Sequence, residues 1–266
     1  MDRLLLNLIQ STVDSEGNVV ALADNNDEDY EEFGGEETEE WTEDTKETTL
    51  EIDPDSEINP SVLGEFTQEE VIPAMSKELG SLQSFGVFEE VAASEVPEGV
   101  KIIPTRWVLV RKPTGEVKAR LVAKEFRTDS GVHTETFSPT PSQVGLRAAL
   151  AIGISKRWTI RCGDFSTAFL HADVPDEEYL CVKPCKPLDR PNVLWRLRKA
   201  LYGLRSAPKL WNEHLGKEFG KLKFTRSVAD PSVFTREDCI IVCHVDDPVI
   251  IGARHTVSEV MGALEK

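Results

Sequence analysis

Apolar residues recur with helical or strand-like periods along most of residues 67–251, and those periods set the expected elements. Thr67 and Glu70 stand at capping-box spacing, and Val71, Met75, Leu79 and Leu82 then repeat along one helical face. Pro73 lacks the N–H that an interior turn uses, so the regular helix is expected to start at about that residue. Two strand-like runs follow, Arg106 to Lys112 and Glu116 to Lys124, and Pro113-Thr114-Gly115 between them reads as a hairpin turn. A helix from about Ser142 to Lys156 leads into a strand from Trp158 to Asp164. Another helix is expected from Ala207 to Leu222, with Leu210, His214 or Leu215, and Leu222 on one side. Ser232 to Thr235 and Ile240 to Val245 read as strands, and Val249 to Ile251 as the return arm of a hairpin. Helices and strands in mixed rather than strictly alternating order predict an α+β fold.

Charge alters this picture at the N-terminus. The chain of 266 residues carries a net −17, but residues 1–60 hold 20 Asp and Glu against 2 Lys and Arg, a net −18. Residues 61–266 hold 27 acids and 28 bases, and within them residues 101–226 hold 24 bases against 12 acids, a net +12. The acidity therefore belongs to the tail, while the body has a basic stretch suited to a polyanion. Residues 14–58 are acidic and of low complexity, with too few apolar groups to offset ordering entropy, so disorder is expected there. Structure is expected to begin near Thr67, and the chain divides into an acidic linker, 1–60, and a folded domain, 61–266. A solvated linker accounts for the tail more simply than an acidic interaction segment or a mimic of nucleic acid.

The apolar run within Met1 to Gln10 is too short to span a bilayer and leads into acidic residues rather than a small-residue cleavage site. No signal peptide or transmembrane segment is expected, and the location inferred is intracellular, cytoplasmic or nuclear, with no membrane partner. Five cysteines, Cys162, Cys181, Cys185, Cys239 and Cys243, suit a reduced compartment. The two Cys-x-x-x-Cys pairs lie in strand-like apolar runs, where i and i+4 share a face, so buried thiols fit better than a zinc site.

The sharpest chemical signal is Asp246-Asp247 between the apolar runs Ile240-Ile241-Val242 and Val249-Ile250-Ile251. Adjacent carboxylates at the tip of a buried hairpin repel one another, and burial disfavours their ionisation. A divalent cation removes both costs, and magnesium takes oxygen ligands of this kind. A plain Asp-Asp turn in water is the competing account of the dipeptide alone. Asp164, at the end of another apolar strand, supplies a third carboxylate, although alone it could equally cap a helix. Three such groups from neighbouring strands suit two-metal nucleotidyl transfer to a hydroxyl.

Several ordered motifs carry a resemblance to a known family. Arg106-Trp107-Val108, Lys118-Ala119-Arg120-Leu121-Val122-Ala123-Lys124 and Glu135-Thr136-Phe137-Ser138-Pro139 resemble the fingers signatures of copia-type retrotransposon reverse transcriptases. Asp164-Phe165-Ser166-Thr167-Ala168-Phe169-Leu170-His171, Lys199-Ala200-Leu201-Tyr202-Gly203-Leu204 and Ala207-Pro208-Lys209-Leu210-Trp211 resemble further motifs of that family, as do Ser227, Asp230, Pro231, Ser232 and Phe234. The resemblance spans roughly residues 66–255. It implies a right-hand polymerase fold of fingers and palm and RNA-directed DNA polymerisation with two Mg2+ ions, Mn2+ being a substitute. It also implies as partners an RNA or DNA template with primer, deoxynucleoside triphosphates, and other parts of a Pol polyprotein.

By the same resemblance, Asp164, Asp246 and Asp247 are the catalytic, metal-holding carboxylates, and the Phe165 carbonyl is a further metal contact. Phe169 is the steric gate against a ribose 2′-hydroxyl. The segment from Tyr202 and Gly203 to Pro208 lies against nucleotide and template, and Lys118, Arg120 and Lys124 are candidates for phosphate contact. Four residues depart from the pattern: His244 for Tyr, Pro248 for an aliphatic residue, Ser206 for Gln and Glu125 for Gly. The sequence stops at Lys266, so thumb, primer grip and RNase H regions are expected to be missing, and the acidic tail resembles the linker that follows integrase in the polyprotein. The alternative function is a truncated, catalytically dead remnant that binds nucleic acid or protein at most.

Overall fold

The structure is a computed structural model, and it describes residues 48–125 and 136–264. It contains two compact units that interleave along the chain. Among the described residues, one unit takes 138–166 and 215–264, and the other takes 48–125, 136–137 and 167–214.

The first unit is built on a five-stranded sheet in the order β5-β11-β10-β9-β8, antiparallel throughout. Its strands are β5 (Thr159–Cys162), β8 (Thr225–Arg226), β9 (Val233–Arg236), β10 (Cys239–His244) and β11 (Asp247–Gly252). β10 is buried from Cys239 to Cys243 and β11 from Pro248 to Gly252, which explains why both read as unbroken apolar runs rather than as alternation. One face, made by Ile160, Ile240, Val242, Val249 and Ile251, packs against Leu146 and Ala149 of helix α3 (Gln143–Ser155). On the opposite face Phe234 meets Phe219 edge-to-face, with ring centroids 4.8 Å apart. The N-cap of α3 is Ser142, whose hydroxyl accepts from the Gly145 N–H at 2.9 Å and donates to Asp230. Asp230 also accepts from the Ser142 and Ser232 N–H groups, tying the loop before β9 to the start of α3. Helix α5 (Arg254–Leu264) follows β11, and Asp238, whose carboxyl is held low mainly by the Thr256 hydroxyl and then by Arg236, anchors its first turn.

The second unit carries a six-stranded sheet, order β1-β3-β6-β7-β2 with β4 also on β3. Its strands are β1 (Thr48–Ile52), β2 (Phe88–Ala92), β3 (Ile102–Arg111), β4 (Val117–Ala123), β6 (Cys181–Lys183) and β7 (Val193–Leu197). The β3–β4 hairpin matches the expected one, with Gly115 at φ 84° in its turn. Trp107, Leu109, Ala119 and Leu121 form its buried face beneath helix α2 (Gln68–Ser84). Helix α1 (Pro60–Leu63) precedes α2, and α4 (Ala207–Lys221) begins in this unit and ends in the other. α2, residues 57–58, Trp107 and the 186–189 loop wall a cavity of about 580 Å³.

Three expectations are corrected. Residues 48–52, assigned by composition to the acidic linker, form β1, because Thr48-Thr49-Leu50-Glu51-Ile52 alternates and buries Ile52 opposite Trp107. Residues 14–47 of the expected disorder lie outside the described residues, and 53–58 form turns that lead from β1 to the next helix. α2 starts at Gln68 and holds Pro73 within it, since the capping box of Thr67 and Glu70 fixes the first turn and Pro73 is exposed, where water can bond the carbonyl it leaves open. The buried stripe of α2 is Val71, Met75, Glu78 and Leu82, so a carboxylate stands where the apolar period pointed to Leu79. Strands β2, β6, β7 and β8 and helix α5 have signals too short or too polar to read in advance. Among the described residues, no helix is long and apolar enough to cross a membrane.

Glu70 couples the start of α2 to the hairpin. It accepts two bonds from the Arg111 guanidinium, at 2.8 and 3.0 Å, and its carboxyl falls to about 2, first because of Arg111 and then because of Thr67. A depressed carboxyl stabilises the fold above its unfolded range and loses that contribution as pH falls toward its folded value. Glu70→Gln is therefore expected to lower the thermal midpoint by a few degrees at pH 7, with the gap to the parent closing between about pH 4.5 and 2 in pH-resolved melts.

Candidate active site

The register of β5 on β11 decides how the carboxylates meet. Val249 lies opposite Cys162, and the ladder continues past the end of β5: the Gly163 N–H donates to the Pro248 carbonyl at 3.0 Å and the Phe165 N–H to the Asp246 carbonyl at 2.7 Å. Residues 163 and 165 thus turn their backbone groups toward β11, and Asp164 falls directly opposite Asp247 in a non-hydrogen-bonded pair. Such pairs bring Cα atoms to about 4.5 Å and point both side chains to one face. His244, opposite Asp247 on β10, completes a row of His244, Asp247 and Asp164 across three strands. That row lies on the same face as Ile160, Val249 and Ile251, beyond the end covered by α3.

Asp246 occupies the turn. His244 pairs with Asp247, leaving Val245 and Asp246 as a two-residue loop with Val245 at φ 55°. A positive φ at the first loop position alone is the sign pattern of a type II′ turn, which matches the twist of its strands. For a β-branched residue that conformation is strained, and such strain persists only where the surroundings over-determine it. The carboxyl of Asp247 is pushed up, first by partial burial, then by the charges of Asp246 and Asp164, with His244 opposing them. Asp247 therefore senses both of the other carboxylates. Cys243, buried beside them, is pushed up to about 12 by burial and by Asp246 and Asp247, and Cys162 is also raised, first by burial and then by Asp247. Both thiols stay protonated and take no nucleophilic part.

Pro248 does not damage the hairpin. Residues 246 and 248 direct their backbone groups to β5, so the N–H that proline lacks is missing from the β5 side and the β10–β11 ladder keeps its bonds.

The other sequence-predicted residues assemble in the second unit. Lys118, Arg120 and Val122 alternate with buried Ala119, Leu121 and Ala123 along β4, and Lys124 continues the alternation, so the three cations share one half-buried face. The Arg120 guanidinium lies 5.7 Å from the Tyr202 ring, and Tyr202 meets Phe169 edge-to-face at 5.4 Å. Phe169 sits in a 3₁₀ turn (Ala168–His171) entered through Thr167 at φ 57°. Gly203 has φ 84°, and a Cβ there would stand 2.1 Å from the Ala123 carbonyl oxygen, so only glycine fits. Phe165 belongs to the first unit, beside Asp164. Two residues of this region were missed as contributors. Glu78, buried on α2, accepts from the Leu121 N–H and its carboxyl is raised, chiefly by burial; Glu125, 8% exposed, accepts from the Arg205 N–H at 2.6 Å. A charged residue within an apolar helical period was the available signal for Glu78.

The family model for "Reverse transcriptase (RNA-dependent DNA polymerase)" matches residues 88–264. The chain belongs to the reverse transcriptase family. It is 35% identical over 167 residues to the Retrovirus-related Pol polyprotein from transposon RE2 of Arabidopsis thaliana, covering 59% of this chain and 12% of that protein. It is 28% identical over 227 residues to the Retrovirus-related Pol polyprotein from transposon TNT 1-94 of Nicotiana tabacum, covering 80% of this chain and 17% of that protein. A Transposon Ty1-ER2 Gag-Pol polyprotein of Saccharomyces cerevisiae is 28% identical over 156 residues, 56% of this chain and 8% of that protein. The chain thus spans less than a fifth of the length of each of these relatives. The copia-type resemblance read from the motifs holds, and this reverse transcriptase segment is a fragment by comparison with the Pol polyproteins it matches.

Among the described residues, no three His, Cys, Asp or Glu side chains are already drawn together at metal-ligating distance. The chemistry of the donor set nonetheless fits a hard divalent cation: three carboxylates, of which Asp247 is repelled by the other two. A carboxyl raised in the fold destabilises it as pH rises through the folded value, and that penalty is absent once it is protonated. Asp247→Asn is accordingly expected to raise the thermal midpoint of this reverse transcriptase chain at pH 7 in chelator, with the gain shrinking as pH falls through the carboxylate range. A lower midpoint at pH 7 would show that Asp247 contributes favourable bonds instead.

Proposed function

We propose that the chain forms the fingers and palm of an RNA-directed DNA polymerase and catalyses nucleotidyl transfer to a primer 3′-hydroxyl. The observation that carries this reading is the cross-strand pairing of Asp164 with Asp247 next to Asp246, within a sequence of the reverse transcriptase family. In this reading the first unit is the palm and the second supplies fingers. Asp164, Asp246 and Asp247, with the Phe165 carbonyl, would hold two Mg2+ ions. Bound there, the ions supply a lowered pKa for the primer 3′-hydroxyl and charge for the departing pyrophosphate. The carboxylates would hold that positive charge beside the primer end and the incoming triphosphate.

By the resemblance to the family, other residues would supply selection and charge. The Phe169 ring, held edge-on by Tyr202, is a rigid wall against a ribose 2′-hydroxyl, which favours deoxynucleotides. Lys118, Arg120 and Lys124 offset phosphate charge on a triphosphate or template. The Tyr202–Gly203 turn offers a small, glycine-bearing surface to a base or sugar. Partners are accordingly a primed RNA or DNA template, deoxynucleoside triphosphates, and neighbouring parts of a Pol polyprotein.

The test is incorporation of one dTTP on oligo(dT)-primed poly(rA) with Mg2+, comparing the chain with Asp164→Asn, Asp246→Asn and Asp247→Asn. Each variant is expected to lose at least about 100-fold in rate, the scale of removing a group that stabilises transition-state charge. Equal rates in all four proteins, or incorporation that survives chelation, would remove the proposal.

A further inference from the structure

β4 pairs with β3 on one side only, so its other edge presents N–H groups that need partners. The Leu121 N–H donates to the Glu78 carboxylate at 3.4 Å, and the Ala123 N–H to the Tyr202 carbonyl at 2.7 Å. Beyond the end of the strand, the Glu125 carboxylate accepts from the Arg205 N–H at 2.6 Å. The segment Tyr202–Arg205 is thus fastened to β4 at both ends, by Tyr202 through backbone and by Arg205 through one side chain. Between the two fasteners Gly203 lies against the Ala123 carbonyl, and a Cβ there would also stand 2.6 Å from Val122 Cγ1. The fit leaves no slack.

We infer that Glu125 is a positioning residue, whose carboxylate pins the 202–205 segment to β4 and thereby fixes the stack of Arg120, Tyr202 and Phe169. A packing role alone does not account for it. A carboxylate at 8% exposure is costly to bury, and this one is aimed at a backbone N–H that β4 itself has no group to satisfy. Glu125 acts on Tyr202 through the short covalent link from Arg205. The inference rests on the polymerase reading only for what the stack binds, and the pinning stands apart from it.

The test combines two readouts on the full chain. Amide hydrogen exchange at Arg205, followed by NMR, reports the pin; dTTP affinity in Mg2+ together with kcat for single-nucleotide incorporation reports its use. Glu125→Ala is expected to speed Arg205 exchange at least about tenfold and weaken dTTP binding about tenfold, with kcat within about twofold. Glu125→Gln, which keeps a neutral acceptor, is expected to restore both. Glu125→Asp, which keeps the charge but withdraws the acceptor by one methylene, is expected to behave like Glu125→Ala and covers the case in which the alanine variant does not fold. Unchanged exchange in Glu125→Ala or Glu125→Asp overturns the pin. Faster exchange with unchanged dTTP affinity overturns the positioning role, whereas a parent chain that binds no dTTP counts against the polymerase reading itself.

Discussion

Like-charge repulsion across the β5–β11 ladder is the constraint on which the rest of the structure depends. Two antiparallel strands whose register sets Asp164 opposite Asp247, with Asp246 one residue away in the turn, concentrate negative charge at one end of an otherwise apolar sheet. Ile160, packed under α3 beside Val249 and Ile251, holds that register, because a slip of β5 by one residue would set Thr159 or Arg161 in its place. The fold thus contributes the core energy and the site uses it. The strained φ of Val245 belongs to the same arrangement, since a tighter or looser turn would move Asp246 relative to the pair.

The second unit solves a different problem, that of an open sheet edge carrying cations. β4 is the strand with Lys118 and Arg120, and its free edge is closed by a helix carboxylate and by the turn that presents Tyr202. Closing the edge this way orients the basic face as well, because the pleat leaves Lys118, Arg120 and Lys124 only one side to occupy. Arg111 is excluded from that face by parity. It is committed instead to Glu70 and to the Phe66 ring, 5.0 Å away, which serves the junction of hairpin and helix.

How much of this was legible in the chain follows from how local each signal is. The β3–β4 hairpin, α3, α4 and the β10–β11 hairpin were readable because period and turn chemistry agree within one segment. β2, β6 and β7 were not, because each is short and gains its place from partners distant in sequence, as Cys181 does from Ile102. β1 was hidden by the acidic composition around it, although its own five residues alternate cleanly. Asp164, Asp246 and Asp247 could be proposed from the sequence, but the placement of Asp164 opposite Asp247 depends on a register that no local pattern encodes. The role of Glu125 was invisible for the same reason: its partner lies 80 residues away.

The proposal that Asp164, Asp246 and Asp247 would together hold a divalent cation is tested most directly by titrating Mn2+ into the full chain while following the paramagnetic signal of free ion. The account predicts saturable binding that weakens at least about tenfold in each of Asp164→Asn, Asp246→Asn and Asp247→Asn, since each removes a ligand charge. Binding that is unchanged in Asp164→Asn would contradict it, because the ion would then owe nothing to the strand pairing from which the site is built.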